Sequence, residues 1–234
     1  MARRYLAFDI ETAEVLPDPC PDWRPHRPLG IACAATLAAG AEAPTLWHGR
    51  GADGSPAGRM TPQEAAELVG HLAARAAEGW TILTWNGLGF DFDILAEESH
   101  LPAECRRLAR GHVDMMFHVL CELGHPLSLS AAAEGMGLAG KTEGMSGVLA
   151  PQLWAAGEHR RVLDYVAGDV RATLGLASAC EAGRCLRWTS RSGRRRRMAL
   201  PGGWLTVEGA LRLPEPDTSW MSNPLRRDQL AAWL

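Results

Sequence analysis

The sequence lacks the long apolar runs and the paired cysteines that mark several classes of protein. No apolar stretch is long enough to span a membrane, and the first strand-like run already carries Asp9 and Glu11, so we expect no transmembrane segment and no signal peptide. The six cysteines are scattered, with no C-x-x-C pair and no matching histidine spacing. This pattern gives no sign of a zinc site or a disulfide framework. We therefore expect a cytoplasmic protein with reduced, mostly buried thiols.

The length and composition are those of a globular protein. A chain of 234 residues with 47% hydrophobic and 22% charged residues buries a core without help from disulfides. Strands are predicted at residues 5–10, 29–37, 44–47 and 81–85, and helices at 61–79, 90–98, 102–109, 113–123, 128–136, 148–156 and 159–182. This order predicts an α/β fold with a mixed sheet flanked by helices. We place a boundary near residue 183, between a domain at 1–183 and a basic C-terminal extension at 184–234 that contains strand-like pieces and a last short helix.

Charge is distributed unevenly along the chain. The net charge is −3, yet residues 184–197 contain seven arginines and no acid, so the rest of the chain carries −10. Such a segment favours a polyanionic ligand, bound through phosphate contacts and aromatic stacking. The substrate-binding candidates are Arg194, Arg195, Arg196 and Arg197. The tryptophans within or after the segment are Trp188, Trp204, Trp220 and Trp233. The alternative is a hairpin whose tryptophans pack on the domain and whose arginines are solvated.

The first motif is Asp9 and Glu11 in the strand-like run F-D-I-E-T. A spacing of two residues in a strand points both carboxylates to the same face. Two such oxygen donors suit Mg²⁺ or Mn²⁺. An Asp-x-Glu triplet alone is common, so it needs further support.

The second motif is W-N-G-L-G-F-D, which ends at Asp91. It follows a buried strand and opens a helix, a position where α/β sheets often meet their ligands. Asp91 is therefore a candidate metal ligand, and Asn86 and Gly87 allow the backbone to approach a substrate closely. Asp93 is the competing ligand, although it points elsewhere on the helix.

The third motif is Tyr165 and Asp169 in the long predicted helix. Residues four apart lie on one helix face, where a phenol and a carboxylate can position a water molecule and hold a metal. The alternative is a surface aspartate beside a buried tyrosine. Lys141 is a further candidate phosphate contact, with a solvated loop lysine as the plainer interpretation. Asp114 is interpreted as a helix N-terminal acid or as a group behind the site.

Taken in order, the three motifs resemble the DEDD exonuclease superfamily, in its tyrosine-bearing branch with a ribonuclease H-like fold. They are most similar to the stand-alone exonucleases related to the proofreading domain of family B DNA polymerases. The run at 127–141 also resembles that group, and the resemblance covers about residues 4–182.

The resemblance implies a metal-dependent 3′-to-5′ exonuclease that hydrolyses single-stranded DNA or RNA to nucleoside monophosphates. The implied ligands of two divalent ions, Mg²⁺ or Mn²⁺, are Asp9, Glu11, Asp91 and Asp169, and Tyr165 would orient the attacking water. Expected partners are single-stranded nucleic-acid 3′ ends and a DNA replication or repair protein, with no membrane. Residues beyond 182 are too few for a polymerase. A structure-selective or endonucleolytic enzyme, a catalytically weak nucleic-acid-binding module and a structural adaptor are the alternatives.

Overall fold

The computed structural model of the protein describes residues 3–20, 22–138 and 144–234. Within this part of the chain, five strands form one mixed sheet in the order β3-β2-β1-β4-β5. The strands are β1 (Tyr5–Thr12), β2 (Ile31–Ala38), β3 (Thr45–His48), β4 (Thr81–Thr84) and β5 (Val113–Asp114). β1 pairs antiparallel with β2 and parallel with β4, and β4 pairs parallel with β5. The predicted α/β fold with a mixed sheet is confirmed.

Helices cover the sheet and extend beyond it. They are α1 (Pro62–Ala77), α2 (Asp91–Glu98), α3 (Pro102–Gly111), α4 (Met115–Leu123), α5 (Leu129–Gly135), α6 (Ala150–Ala155), α7 (His159–Gly183), α8 (Val207–Leu211) and α9 (Arg227–Ala231). α1 begins as predicted, because Thr61 and Glu64 form a capping box that satisfies backbone N–H groups at the helix start. The helices predicted to start at 90, 128 and 148 begin one or two residues later.

The central strand β1 separates two layers of the structure. Its even-numbered residues Leu6, Phe8 and Ile10 pack in a core with the side chains of α1, α2 and α3. Its odd-numbered Ala7 packs with α6 and α7. Since strand side chains alternate between faces, Asp9 and Glu11 also face the layer that contains α7.

One prediction in this region was wrong. Residues 113–123 were predicted as a single helix, but Val113 and Asp114 form β5 and pair with Leu83 and Thr84 of β4. A two-residue strand is too short to show an alternating pattern, so the helical periodicity that follows masks it. The consequence is that Asp114 lies at a strand end, beside the loop that follows β4.

The C-terminal residues form a second, two-stranded sheet from β6 (Cys185–Thr189) and β7 (Arg195–Ala199). Leu186, Trp188 and Trp204 are buried in one apolar cluster with residues of α7. The predicted strand-like pieces are therefore present and pack against the long helix. The domain boundary near 183 stays a prediction.

The thiols behave as the sequence predicted. All six cysteines are free, five of them are buried and Cys20 is half-buried. Burial raises the pKa of Cys105 and Cys121 to about 11, so both remain neutral. Among the described residues, no helix combines the length and the apolar character needed to cross a membrane.

Candidate active site

A cleft of about 550 Å³ opens at the edge of the sheet where β1 and β4 end. The predicted catalytic side chains that line it are Asp9, Glu11, Asp91, Tyr165 and Asp169. They come together because β1 and β4 are parallel neighbours, so the end of β1 and the segment after β4 meet at one edge. α7 crosses the same face of β1 and adds Tyr165 and Asp169 from one helical turn.

Three of these carboxylates form a compact group. Each of Asp9, Glu11 and Asp169 offers an oxygen, and these oxygens all lie within 4.8 Å of one another. Glu11 and Asp169 are buried, and Asp9 is half-buried. A set of carboxylate oxygens at this spacing fits a hard divalent cation such as Mg²⁺ or Mn²⁺. Among the described residues that line the cleft, Arg24 is the only basic side chain, which leaves the carboxylates in excess.

Asp91 lies at the first position of α2, as predicted, and is joined to this group. Its Oδ1 accepts a hydrogen bond of 3.0 Å from the backbone N–H of Ile10, and its carboxyl group is hydrogen-bonded to Asp9. Burial raises the pKa of Asp91 to about 7 against the opposing effect of these bonds, and the nearby charge of Asp114 raises it further. A cation at the site therefore has to compete with a proton near neutral pH.

Tyr165 is almost fully buried and its hydroxyl is hydrogen-bonded to Asp169. Burial raises the pKa of this phenol well above its ordinary value, and the charges of Glu11, Asp169 and Asp9 raise it further. The phenol therefore stays protonated at physiological pH. It can orient a water molecule by hydrogen bonding, but it is not a general base.

The competing ligand Asp93 has a different environment. Its Oδ2 forms an ion pair of 2.5 Å with Arg27, which also pairs with Glu97 over 3.2 Å. Asp93 lies in a separate pocket, with Arg27, Glu97 and Trp233. Asp91 and Asp93 are two residues apart on α2, so their side chains point in different directions. Asp91 faces the cleft and Asp93 faces away from it.

The comparisons with known proteins agree with this fold. The model of the RNase H superfamily matches residues 57–180. The chain belongs to the RNase H superfamily. The matched span includes Asp91, Tyr165 and Asp169, while Asp9 and Glu11 precede it. The acidic group of Asp9, Glu11 and Asp169 fits the DEDD pattern that the motifs resemble.

A solved structure with a similar fold is the family B DNA polymerase from the hyperthermophilic archaeon Pyrobaculum calidifontis. It is 22% identical, with a TM-score of 0.55 over 77% of this chain and 25% of that chain. At this identity the likeness concerns the fold, and the RNase H-like chain matches about a quarter of that polymerase. No curated protein matches the sequence.

In this RNase H superfamily member, the loop after β4 is held from behind by Asp114. The Asp114 carboxylate accepts hydrogen bonds from the backbone N–H groups of Asn86 (2.9 Å), Leu88 (2.8 Å) and Phe117 (3.0 Å). Asn86 adopts a left-handed conformation (φ 73°) and lines the cleft. Asp114 thus caps α4 and positions the loop that leads to Asp91.

Gly87 lies in the loop after β4 and packs against Thr84 at the end of that strand. It is buried, it is not among the described residues that line the cleft, and its N–H donates to Thr84 Oγ1 over 3.2 Å. A Cβ atom at Gly87 would lie 2.4 Å from the same Oγ1. Glycine is therefore required for packing against the end of β4.

The remaining predicted contacts lie away from the cleft or beyond the described residues. Lys141 lies outside the described residues. The four candidates Arg194, Arg195, Arg196 and Arg197 are exposed on the β6–β7 hairpin and do not line the cleft. Trp188 and Trp204 are buried, so they are packed as in the solvated-hairpin alternative, whereas Trp220 is 68% exposed.

Two parts of the cleft wall were not predicted from the sequence. Trp23 and Arg24 come from the proline-rich loop between β1 and β2, and Leu225 and Leu230 come from the C-terminal residues in and before α9. Trp233 fixes α9 to the loop after β4, since its Nε1–H donates to Leu88 O over 2.7 Å. Irregular loops carry no periodic signal that would place them near the carboxylates. The only local indication in the sequence of this part of the wall was the aromatic Trp23 next to Arg24.

Proposed function

We propose that this protein is a metal-dependent 3′-to-5′ exonuclease that hydrolyses single-stranded DNA or RNA and releases nucleoside monophosphates. Membership of the RNase H superfamily and the acidic group indicate nuclease activity. The observation that carries the finer proposal is the joining of all five motif residues in one cleft. The carboxylates of Asp9, Glu11 and Asp169 cluster there, with Asp91 hydrogen-bonded to Asp9 and Tyr165 to Asp169.

We assign Asp9, Glu11, Asp91 and Asp169 as the ligands of two divalent ions. Four carboxylates supply the negative charge that two adjacent cations need. When bound, such ions lower the pKa of a water molecule and stabilise the leaving oxygen of a phosphodiester. Tyr165 orients that water by accepting a hydrogen bond from it, because the phenol donates its own proton to Asp169. Asp169 orients the phenol through their shared hydrogen bond.

The substrate contacts are also part of the proposal. Asn86, at the cleft wall, offers an amide to the strand, and Lys141 and the backbone near Gly87 are further candidates. On the hairpin, Arg197 lies directly opposite Arg187 in the antiparallel register, and facing like charges destabilise a sheet. A polyanion such as a nucleic-acid backbone would neutralise this repulsion.

The role of the hairpin is tested by salt dependence. Replacing Arg194 to Arg197 with glutamine should make the logarithm of the binding constant fall less steeply with the logarithm of salt concentration, by about 0.7 for each lost contact to a single strand. An unchanged slope would support the solvated-hairpin alternative.

The exonuclease proposal is tested with single strands labelled at either end in the presence of Mg²⁺ or Mn²⁺. We expect a labelled mononucleotide at once from the 3′-labelled strand, a ladder from the 5′-labelled strand and no cleavage of a circular strand. Asp169→Asn should lose nearly all activity. Asp164→Asn is the matched control on the same helix, since Asp164 is exposed and paired with Arg160 at the surface.

The same assay separates the alternatives. Cleavage of the circle would indicate an endonuclease, and binding without nucleotide release would indicate a nucleic-acid-binding or adaptor module. Substrates of DNA and RNA, single-stranded and duplex, would define the preference. We further propose that the enzyme acts beside a DNA replication or repair protein, which a pull-down with the full chain would test.

A further inference from the structure

The proline-rich loop between β1 and β2 places an aromatic and a basic side chain at the cleft. Trp23 immediately precedes a 3-10 helix at Arg24–His26, and both Trp23 and Arg24 line the cleft that contains the carboxylates. Trp23 is half-buried, while the side chain of Arg24 is 42% exposed. Both side chains are therefore accessible to a ligand that enters the cleft.

Trp23 is held in a fixed orientation. Its ring packs edge-on against Phe90 at a centroid distance of 5.3 Å, and the Arg27 guanidinium lies 4.8 Å from its ring centroid. Arg27 is itself held by its ion pairs with Asp93 and Glu97 on α2. The indole is thus tied to the same helix that carries Asp91, so its position relative to the carboxylates is set by the core of the domain.

Arg24 is held less tightly. Its guanidinium lies 5.1 Å from the Trp23 ring centroid and contacts the exposed Asp22 over 3.4 Å and the backbone oxygen of Gln229 over 3.4 Å. Exposed pairs at this distance contribute little to stability, so a phosphate group can displace them at small cost.

The chemistry of this pair matches a nucleotide. Indole rings stack on nucleobases irrespective of sequence, and a guanidinium binds a phosphate by paired hydrogen bonds. Arg24 also supplies positive charge in a cleft whose other charged side chains, among the described residues, are all carboxylates.

We propose that Trp23 and Arg24 form a nucleotide-binding subsite at the carboxylate cleft, in which the indole stacks on a base near the 3′ end and the guanidinium binds an adjacent phosphate. The assignment of the stacked base to the 3′ end of the strand rests on the proposed exonuclease function. It makes binding depend on the presence of a base, whatever its identity.

The test is a comparison of natural strands with strands whose bases near the 3′ end are replaced by abasic sites. The probe is a fluorescein-labelled single-stranded DNA oligonucleotide, and binding to the full chain is measured in EDTA, where hydrolysis cannot occur. The wild-type protein should bind the natural strand about 5- to 150-fold more tightly than the abasic strand, the range expected for stacking on one aromatic side chain. Trp23→Ala should lose this discrimination, and Trp23→Phe should retain most of it.

Trp80→Ala is the matched control. Trp80 also lies under an arginine, with the Arg4 guanidinium 4.9 Å from its ring centroid, but it precedes β4 and so lies at the end of that strand opposite the cleft. The Trp80→Ala variant should discriminate between natural and abasic strands as the wild-type protein does. Arg24→Gln should weaken binding of natural and abasic strands alike and should reduce the salt dependence, whereas Arg4→Gln should do neither.

Kinetics with Mg²⁺ separate this subsite from the exonuclease proposal. Trp23→Ala should raise KM for the natural strand by about the factor lost in binding, with a smaller effect on kcat. If the wild-type protein releases nucleotides but Trp23→Ala discriminates as the wild type does, the subsite is wrong and the exonuclease stands. If strands bind without hydrolysis and discrimination depends on Trp23, the subsite stands and the exonuclease fails. A wild-type protein that binds natural and abasic strands equally also overturns the subsite.

Discussion

Asp114 provides the sharpest test of how the site is held together. It is fully buried, and its carboxylate accepts three backbone hydrogen bonds, from Asn86 and Phe117 at Oδ1 and from Leu88 at Oδ2. Asp114→Ala removes both acceptor oxygens and with them all three hydrogen bonds. Each buried N–H left without a partner costs about 1 to 3 kcal/mol, and partial relaxation of the loop brings the expected loss to about 3 to 5 kcal/mol.

Asp114→Asn distinguishes the lost acceptors from the lost volume. Its amide oxygen can still accept from Asn86 and Phe117, but the amide nitrogen then faces the N–H of Leu88. If the amide is flipped, its nitrogen faces the N–H groups of Asn86 and Phe117, and only Leu88 keeps an acceptor. One mismatched donor pair predicts a loss of about 1 to 3 kcal/mol, smaller than for the alanine variant.

Urea unfolding of the metal-free protein measures both variants. Thr61→Ala is the control, because Thr61 caps α1 far from the cleft through a hydrogen bond from Glu64 N. Loss of such a cap costs about 1 kcal/mol. Both Asp114 variants should also lose nuclease activity, since the loop to Asp91 is displaced. If Asp114→Ala destabilises the protein no more than Thr61→Ala does, the hydrogen bonds to Asp114 do not hold the loop.

Other expectations concern the cation, the phenol and the C-terminal wall. Because burial raises the pKa of Asp91 to about 7, a cation must displace its proton at low pH, so titration calorimetry should show Mg²⁺ affinity rising about tenfold per pH unit below pH 7 and levelling off above it, with a flatter profile for Asp91→Asn. Tyr165→Phe should lower kcat about 10- to 100-fold while Mg²⁺ affinity changes little, because it removes the hydroxyl that positions water; an unchanged kcat would refute this role. Gly89→Ala would place a Cβ 2.7 Å from Leu230 Cδ2 and should cost about 1 to 3 kcal/mol in urea unfolding. With Leu230→Ala added, the total loss should be smaller than the sum of the two single losses, and simple additivity of the two changes would argue against the contact.

The parts of the site that the sequence predicted are those fixed by local backbone geometry. Alternation in a strand places Asp9 and Glu11 on one face, and a helical turn places Tyr165 beside Asp169. These relations hold whatever the tertiary packing. Joining them into one site also required the parallel pairing of β1 and β4, which the structure shows and the sequence did not predict.

The parts that were missed depend on contacts between segments without periodicity. Trp23 reaches the cleft because Arg27, four residues later, is anchored to α2 by an ion pair with Asp93. Leu230 reaches it because α9 packs on the loop after β4. Gly87 has a packing requirement for glycine that arises from Thr84. None of these contacts follows from spacing along the chain.

The surroundings of the buried acidic residues support a functional role for the carboxylates in the cleft. Asp93 is buried and is paired with Arg27, and Asp114 is buried and accepts three backbone hydrogen bonds, so both have the partners that a structural acid requires. Asp9 and Asp169 are also hydrogen-bonded, to Asp91 and Tyr165, and together with Glu11 they bring carboxylate oxygens within 4.8 Å of one another. Like charges grouped at this spacing repel one another, which is unfavourable in the folded protein. A divalent cation reverses the sign of that interaction, which gives a physical reason for a fold to keep the arrangement.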